Sequence, residues 1–123
     1  MTDPRTIGEK AEIKGAKYLK KLGYKILDTN FSSPFGEIDV IAKEKDDIIF
    51  IEIKFRSSFD FGRPEEFVNR NKQSKILKTA LYYLKSKKLT KSNIRFDILT
   101  LGPDLDKIEL IKSAFQGNPY YKY

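Results

Sequence analysis

From Glu37 to Phe55 nearly every second residue is Ile, Val, Ala or Phe, the two-residue period of a strand pair. The two runs are Glu37–Ala42 and Ile48–Phe55, and the short polar link Lys43–Asp47 between them predicts an antiparallel hairpin. Upstream the period changes. Ile7, Ala11, Gly15, Leu19 and Leu22 recur at steps of three and four, while Lys10, Lys14, Lys17 and Lys21 take another side. This predicts a helix over residues 5–22 that Gly23 stops. Tyr24–Phe31 reads as a strand closed by a turn at Ser32-Ser33-Pro34. Residues 57–68 have no period and predict a loop that covers or borders a site. Asn69 is the expected N-cap of a second helix reaching about Lys88. Its inner stripe is Gln73, Ile76, Leu77, Ala80, Leu81 and Leu84, with Lys72, Lys75, Lys78 and Lys85 mostly outside. Ile94–Leu101 is a strand, Gly102-Pro103-Asp104 a turn, and Lys107–Lys112 a last strand. The order α-β-β-β-α-β-β predicts an α/β fold, a mixed sheet flanked by helices. No repeat or linker divides residues 1–123, so one domain is expected.

Charges interrupt the hairpin. Alternation puts Glu37, Asp39 and Ile41 on one face and Ile38, Val40 and Ala42 on the other. In the second run Ile49, Ile51, Ile53 and Phe55 share a face, and Ile48, Phe50, Glu52 and Lys54 share its opposite. That last file should be covered at one end and open at the other. Pairing across residues 43–47 sets Asp39 roughly opposite Glu52, with Cβ atoms ~5 Å apart. Two carboxylates that close repel unless a proton or a cation lies between them. Two readings stand: a divalent cation between the acids with Lys54 offsetting the remaining charge, or an ordinary carboxylate–lysine pairing at a sheet edge. Glu9 and Glu12, one turn apart, either face a common neighbour or balance nearby lysines.

Composition narrows the chemistry. With no Cys and no His, disulfides, thiolate nucleophiles, His triads and zinc centres are excluded. Any metal is then a hard cation held by oxygen, Mg²⁺ or Mn²⁺, and any general base a carboxylate, a lysine or water. A net charge of +7 suits a solvated surface or a polyanionic partner. No apolar run approaches the ~20 residues of a membrane span, and MTDPRTIGEK lacks a signal peptide's apolar core. The expectation is a cytoplasmic protein without membrane contact.

The same residues carry a resemblance. Asp39, a gap of twelve, then Glu52-Ile53-Lys54 is similar to the D-(x)n-E-x-K signature of the PD-(D/E)XK nuclease superfamily. Gly36-Glu37-Ile38-Asp39, Glu52-Ile53-Lys54-Phe55-Arg56, Phe61-Gly62, Lys72-Gln73, Arg95-Phe96-Asp97 and Ala114-Phe115 together resemble the YraN-like, or UPF0102, family over about Glu12 to Phe115. That family is related in fold to archaeal Holliday-junction resolvases. The resemblance implies a restriction-endonuclease-like fold and a Mg²⁺- or Mn²⁺-dependent endonuclease on DNA, branched DNA included. The alternative is a non-catalytic nucleic-acid-binding module that keeps the fold. It implies that Asp39, Glu52 and the main-chain carbonyl of Ile53 hold the metal. The resemblance implies that Lys54 orients the attacking water, lowers its pKa or stabilises the phosphorane-like charge. The family's helix glutamate falls on Glu12, seven residues before Leu19 in Ala16-Lys17-Tyr18-Leu19, rather than on Glu9. Ala11 stands where many members have Gly. The role of Glu37 is left unassigned. Arg56, Lys72 and Gln73 are phosphate-contact candidates; a capping turn with a solvated lysine is the other reading of Lys72 and Gln73. Resolvases of this fold act as homodimers, and the aromatic stretches Phe59–Phe67 and Tyr120–Tyr123 are either interface or packed core.

Overall fold

The computed structural model describes residues 3–56 and 68–116. The loop at Phe59–Phe67, the Phe61-Gly62 pair and the aromatic tail Tyr120–Tyr123 lie outside the described residues.

Helix α1 spans Ile7–Lys21. Thr6 caps it: its Oγ1 accepts from the Glu9 N–H at 3.1 Å, satisfying one of the first-turn donors. At the other end Gly23, with φ 94°, closes a Schellman turn. The Gly23 N–H donates to Lys20 O and the Tyr24 N–H to Leu19 O, both at 3.0 Å. Strands β1 (Lys25–Ser33), β2 (Gly36–Glu44) and β3 (Asp47–Phe55) follow, then α2 (Arg70–Ser86), β4 (Ile94–Leu101) and β5 (Glu109–Ile111). Asn69 caps α2 as expected, its Oδ1 accepting from the Lys72 N–H at 2.9 Å.

The strands form one five-stranded sheet in the order β1-β2-β3-β4-β5. Neighbours are antiparallel except β3 and β4, which run parallel. A parallel pair needs a long crossover, and α2 lies within it. The element order and the mixed sheet are those the periodicity predicts. The hairpin is tighter than predicted: Glu44 pairs with Asp47, leaving only Lys45 and Asp46 between the strands. The last strand is shorter than predicted.

Each face of the sheet carries one helix and one core. Ile76, Leu77, Ala80, Tyr83 and Leu84 of α2 pack with Ile41, Ile48, Phe50, Phe96 and Ile98. Ala11 and Leu19 of α1 pack with Val40, Ala42, Ile49, Ile51, Leu99 and Leu101. Gly15 lets α1 approach: a Cβ there would stand 2.9 Å from Ile53 Cδ1 and 3.2 Å from Leu99 Cδ2. The predicted stripe of α1 is too long. Ile7 and Leu22, at its two ends, are exposed because both lie at the tips of the helix. On α2, Thr79 and Tyr83 are buried although the periodic stripe omits them. The Thr79 hydroxyl meets Ser33 Oγ at 2.9 Å and donates to Lys75 O, while Tyr83 stacks edge-on against Phe31 and Phe50. No helix among the described residues is long and apolar enough to cross a membrane.

Candidate functional site

Strands β2 and β3 part company at one end. Their ladder ends at Val40↔Ile51, and the next pair in register would be Asp39 and Glu52. Instead of a main-chain partner, the Ile53 N–H finds the Asp39 carboxylate, donating to Oδ2 at 2.8 Å. In an extended strand the C=O of a residue points to the same side as its N–H. The Ile53 carbonyl therefore also faces the parting strands.

The disturbance comes from β1. Phe31 pairs with Ile38 and Thr29 with Val40, so Asn30 stands across from Asp39. Asn30 has φ 51°, the left-handed region that breaks regular pleating and that Asn visits more readily than most residues. Side-chain alternation fails at this point. Ile38 packs in the α2-side core, whereas Val40 packs in the α1-side core. The expectation that Ile38 and Val40 share a face is corrected: the twist at Asn30 and Asp39 separates them. Asp39 thereby sits at a seam that both helices reach.

On the α2 side, burial along β3 follows the file read from the sequence. Ile48 and Phe50 are buried, Glu52 is 8% exposed, and Lys54 is open to solvent. The Glu52 Oε1 atom is buried with no hydrogen-bond partner. Burial, then the Asp39 charge, push the Glu52 carboxyl up to about 9, against the pull of Lys72. Lys72, on the first turn of α2, places Nζ 4.0 Å from Glu52 Oε2. The lysine nearest in sequence, Lys54, lies on the exposed rim two residues along the same file, paired in register with Thr100. Charge compensation at Glu52 thus comes from α2.

On the α1 side, Glu12 also titrates high, raised first by burial and then by Asp39, with Glu37 adding to the effect. An Asn30 amide oriented with nitrogen toward the acids donates to Glu12 Oε2 at 3.2 Å and to Glu37 Oε1 at 3.3 Å. Asn30 therefore ties the exposed Glu37 to Glu12. The fold brings Glu12, Asp39, Glu52, Ile53 and Lys72 to one seam. Gln73 is partly buried and donates from Nε2 to Val68 O at 2.9 Å, which fastens the entry to α2. Arg56 follows β3, its N–H bonded to Leu101 O at 2.9 Å. Among the described residues, no group of three or more carboxylates stands close enough together to form a ready metal cage.

Sequence reasoning missed Asn30. The readable signal was a lone Asn inside the strand run Lys-Ile-Leu-Asp-Thr-Asn-Phe, where its left-handed tendency is unusual. It also missed the pairing of Arg95 with Asp97, two residues apart on one face of β4, and the contacts that join the pair to Tyr24, Glu44 and Ser113 from distant parts of the chain.

Fold and site together define a small α/β domain with an acidic centre where two paired strands separate. The chain belongs to the uncharacterised protein family UPF0102, which matches residues 11–101 and so includes Glu12, Asn30, Asp39, Glu52 and Lys72. It is 43% identical over 118 residues to a UPF0102 protein of Syntrophus aciditrophicus, covering 94% of this chain and 93% of that one. A UPF0102 protein of Fusobacterium nucleatum is 48% identical over 108 residues, 87% of this chain and 91% of its own. One from Caldanaerobacter subterraneus subsp. tengcongensis is 44% identical over 116 residues, 90% and 95% of the two chains.

Proposed function

We propose that this protein is a divalent-metal-dependent nuclease that hydrolyses DNA phosphodiester bonds. One observation carries the reading: a buried carboxylate oxygen, Glu52 Oε1, has no partner and lies beside a second carboxylate that repels it. An orphaned buried acceptor in a like-charged pair is stable ionised only with a cation. The donor set is all oxygen, which suits Mg²⁺ or Mn²⁺. Asp39, Glu52 and the Ile53 carbonyl would hold the ion. When bound, such an ion supplies charge that polarises a phosphate oxygen and makes water nucleophilic near neutral pH.

The other residues have separable tasks. Lys54, open on the rim of the file, orients the attacking water and balances negative charge as it grows. Lys72 sits where the N–H groups of α2 also point outward, a combination suited to a phosphate. Glu12, held neutral longer than an ordinary glutamate, takes or gives a proton at its carboxyl oxygens. Arg56, just past β3, is a further candidate for contact with the substrate's phosphates. Gln73 acts through the Val68 carbonyl and sets the position of Lys72. The D-(x)n-E-x-K resemblance supports the same assignment. Its link to junction resolvases favours branched DNA as substrate and a homodimer as the acting form.

The Lys72–Glu52 approach favours a second reading, a DNA-binding module in which a lysine already supplies the positive charge at the pair. Two measurements separate the readings. Purified protein is assayed with Mg²⁺ or Mn²⁺ on duplex, single-stranded, flapped and four-way DNA. Cleavage that Asp39→Ala and Glu52→Ala abolish, with circular dichroism unchanged, is the expected result; no cleavage at high protein concentration sinks the nuclease. Calorimetric titration with Mn²⁺ should show binding that Asp39→Ala removes, and equal heats in both proteins would favour the binder.

A further inference from the structure

A groove of about 260 Å³ runs from the acidic seam along the side of α1. Its acidic end is formed by Glu12 and Asp39, Asn30 and Val40 belong to its sheet side, and Lys17 and Lys20 line the α1 side beyond Glu12. Periodicity assigns Lys17 to a solvated face, but the structure makes it a wall of this groove. We infer that the groove is the track for the DNA backbone leading away from the acidic seam, with Lys17 and Lys20 as its phosphate contacts. The inference rests on the nuclease reading above and adds the direction in which the substrate lies.

Spacing supports it. At 1.5 Å per residue, Lys17 stands about 7.5 Å and Lys20 about 12 Å along the α1 axis from Glu12. The two lysines therefore stand at successively greater distances from the seam on one side of the groove, so each can meet a different phosphate of one strand. Charge is ordered the same way. Carboxylates occupy only the end where a cation would join the substrate, and ammonium groups line the run beyond it. A second basic cleft, with Lys43, Lys85, Lys88 and Lys91, lies at the hairpin end of the sheet and is the rival path. Its lining acid is Asp46 of the hairpin turn, at the opposite end of the strand pair from Asp39 and Glu52, and it adjoins the C-terminus of α2, where lysines also complement the helix dipole.

The test is the salt dependence of binding to a labelled 20-base-pair duplex in EDTA, from 50 to 300 mM KCl. Each phosphate contact contributes about 0.9 to the slope of log K against log salt, so Lys17→Gln/Lys20→Gln should lower it by about 1.8. Lys17→Arg/Lys20→Arg should keep the wild-type slope, and Lys85→Gln/Lys88→Gln should leave it unchanged. A slope that survives the Lys17/Lys20 change but falls with Lys85→Gln/Lys88→Gln overturns the inference and leaves the nuclease reading standing. Loss of slope in the arginine variant as well overturns it too, since the lysines would then act through packing. Wild-type protein that fails to bind the duplex at 50 mM KCl overturns this inference as well, while the nuclease reading stands or falls by the cleavage assay on duplex, flapped and four-way DNA.

Discussion

Glu52 is the residue at which stability and function pull apart. Its folded-state carboxyl titrates near 9 because burial and Asp39 oppose ionisation, whereas an exposed glutamate loses its proton near 4.5. A raised folded value means the folded protein holds the proton longer than the unfolded chain does. The benefit is complete below about 4.5 and is lost as pH climbs toward 9. Glu52→Gln, which is always neutral, escapes this loss. In EDTA its melting temperature should match wild type near pH 5 and exceed it at pH 9. A realised difference of ~2 kcal/mol corresponds to roughly 8 °C. The same variant should show no cleavage and no stabilisation by Mn²⁺. Equal melting curves for the two proteins at pH 9 would mean that the carboxylate is not strained. Asn30 allows a finer dissection. Asn30→Gly keeps the left-handed backbone but deletes the donor to Glu12 and Glu37, so stability should hold while cleavage falls. Asn30→Ala keeps a Cβ in that conformation without the polar side chain that helps Asn adopt it, and should cost about 1 kcal/mol more than Asn30→Gly in urea unfolding.

Among the elements, α1 is positioned by its glycines. Gly23 at φ 94° ends it, and Gly23→Ala should cost about 1 kcal/mol in urea unfolding without changing cleavage, since the turn lies far along the helix from Glu12. Gly15 sets the height of the helix over the sheet. Gly15→Val would press on Ile53 and Leu99, cost about 1–3 kcal/mol, and lift Glu12 from the seam. Reduced cleavage in the fraction that remains folded is the expected accompaniment. These elements also show how far the chain could be read in advance. The file Ile48-Phe50-Glu52-Lys54 was legible because β3 is regular and pairs in register with β4 from Ile48 to Phe55. The caps at Gly23 and Asn69 were legible because capping is local chemistry. The switch of faces at Asp39 was not, because its cause is a left-handed residue on the adjacent strand. Nor was the burial of Thr79 and Tyr83, which depends on Ser33, Phe31 and Phe50 from other strands. The placement of Lys72 against Glu52 was hidden for the same reason: it follows from how α2 lies on the sheet.

At the scale of the molecule, the sheet is tied together by one buried ion pair away from the acidic seam. Asp97 is fully buried and accepts from Arg95 Nε at 2.8 Å, from Arg95 Nη2 at 2.9 Å and from the Ser113 N–H at 2.9 Å. Arg95 Nη2 also donates to the Tyr24 hydroxyl at 2.6 Å, and Nη1 reaches Glu44 Oε1 at 3.5 Å. The tie therefore links β4 to the turn after β5, to the junction of α1 with β1, and to the end of β2. The hydrogen bonds that Arg95 donates to Asp97 hold its guanidinium above its ordinary value, and burial pushes the Tyr24 hydroxyl up to about 12. Removing one member of such a set leaves the others desolvated without compensation, which costs about 3–5 kcal/mol. Against a total stability of about 5–15 kcal/mol, Asp97→Ala should lose a large share of the fold in urea unfolding. The double change Arg95→Met/Asp97→Leu removes both charges together and should cost clearly less than Asp97→Ala alone. If the ion pair is a clasp and not part of the chemistry, the folded fraction of that double variant keeps wild-type cleavage and Mn²⁺ binding. A loss of cleavage at full folding would instead assign the Arg95–Asp97 pair to the substrate, and a cost below about 1 kcal/mol for Asp97→Ala would deny it the clasp.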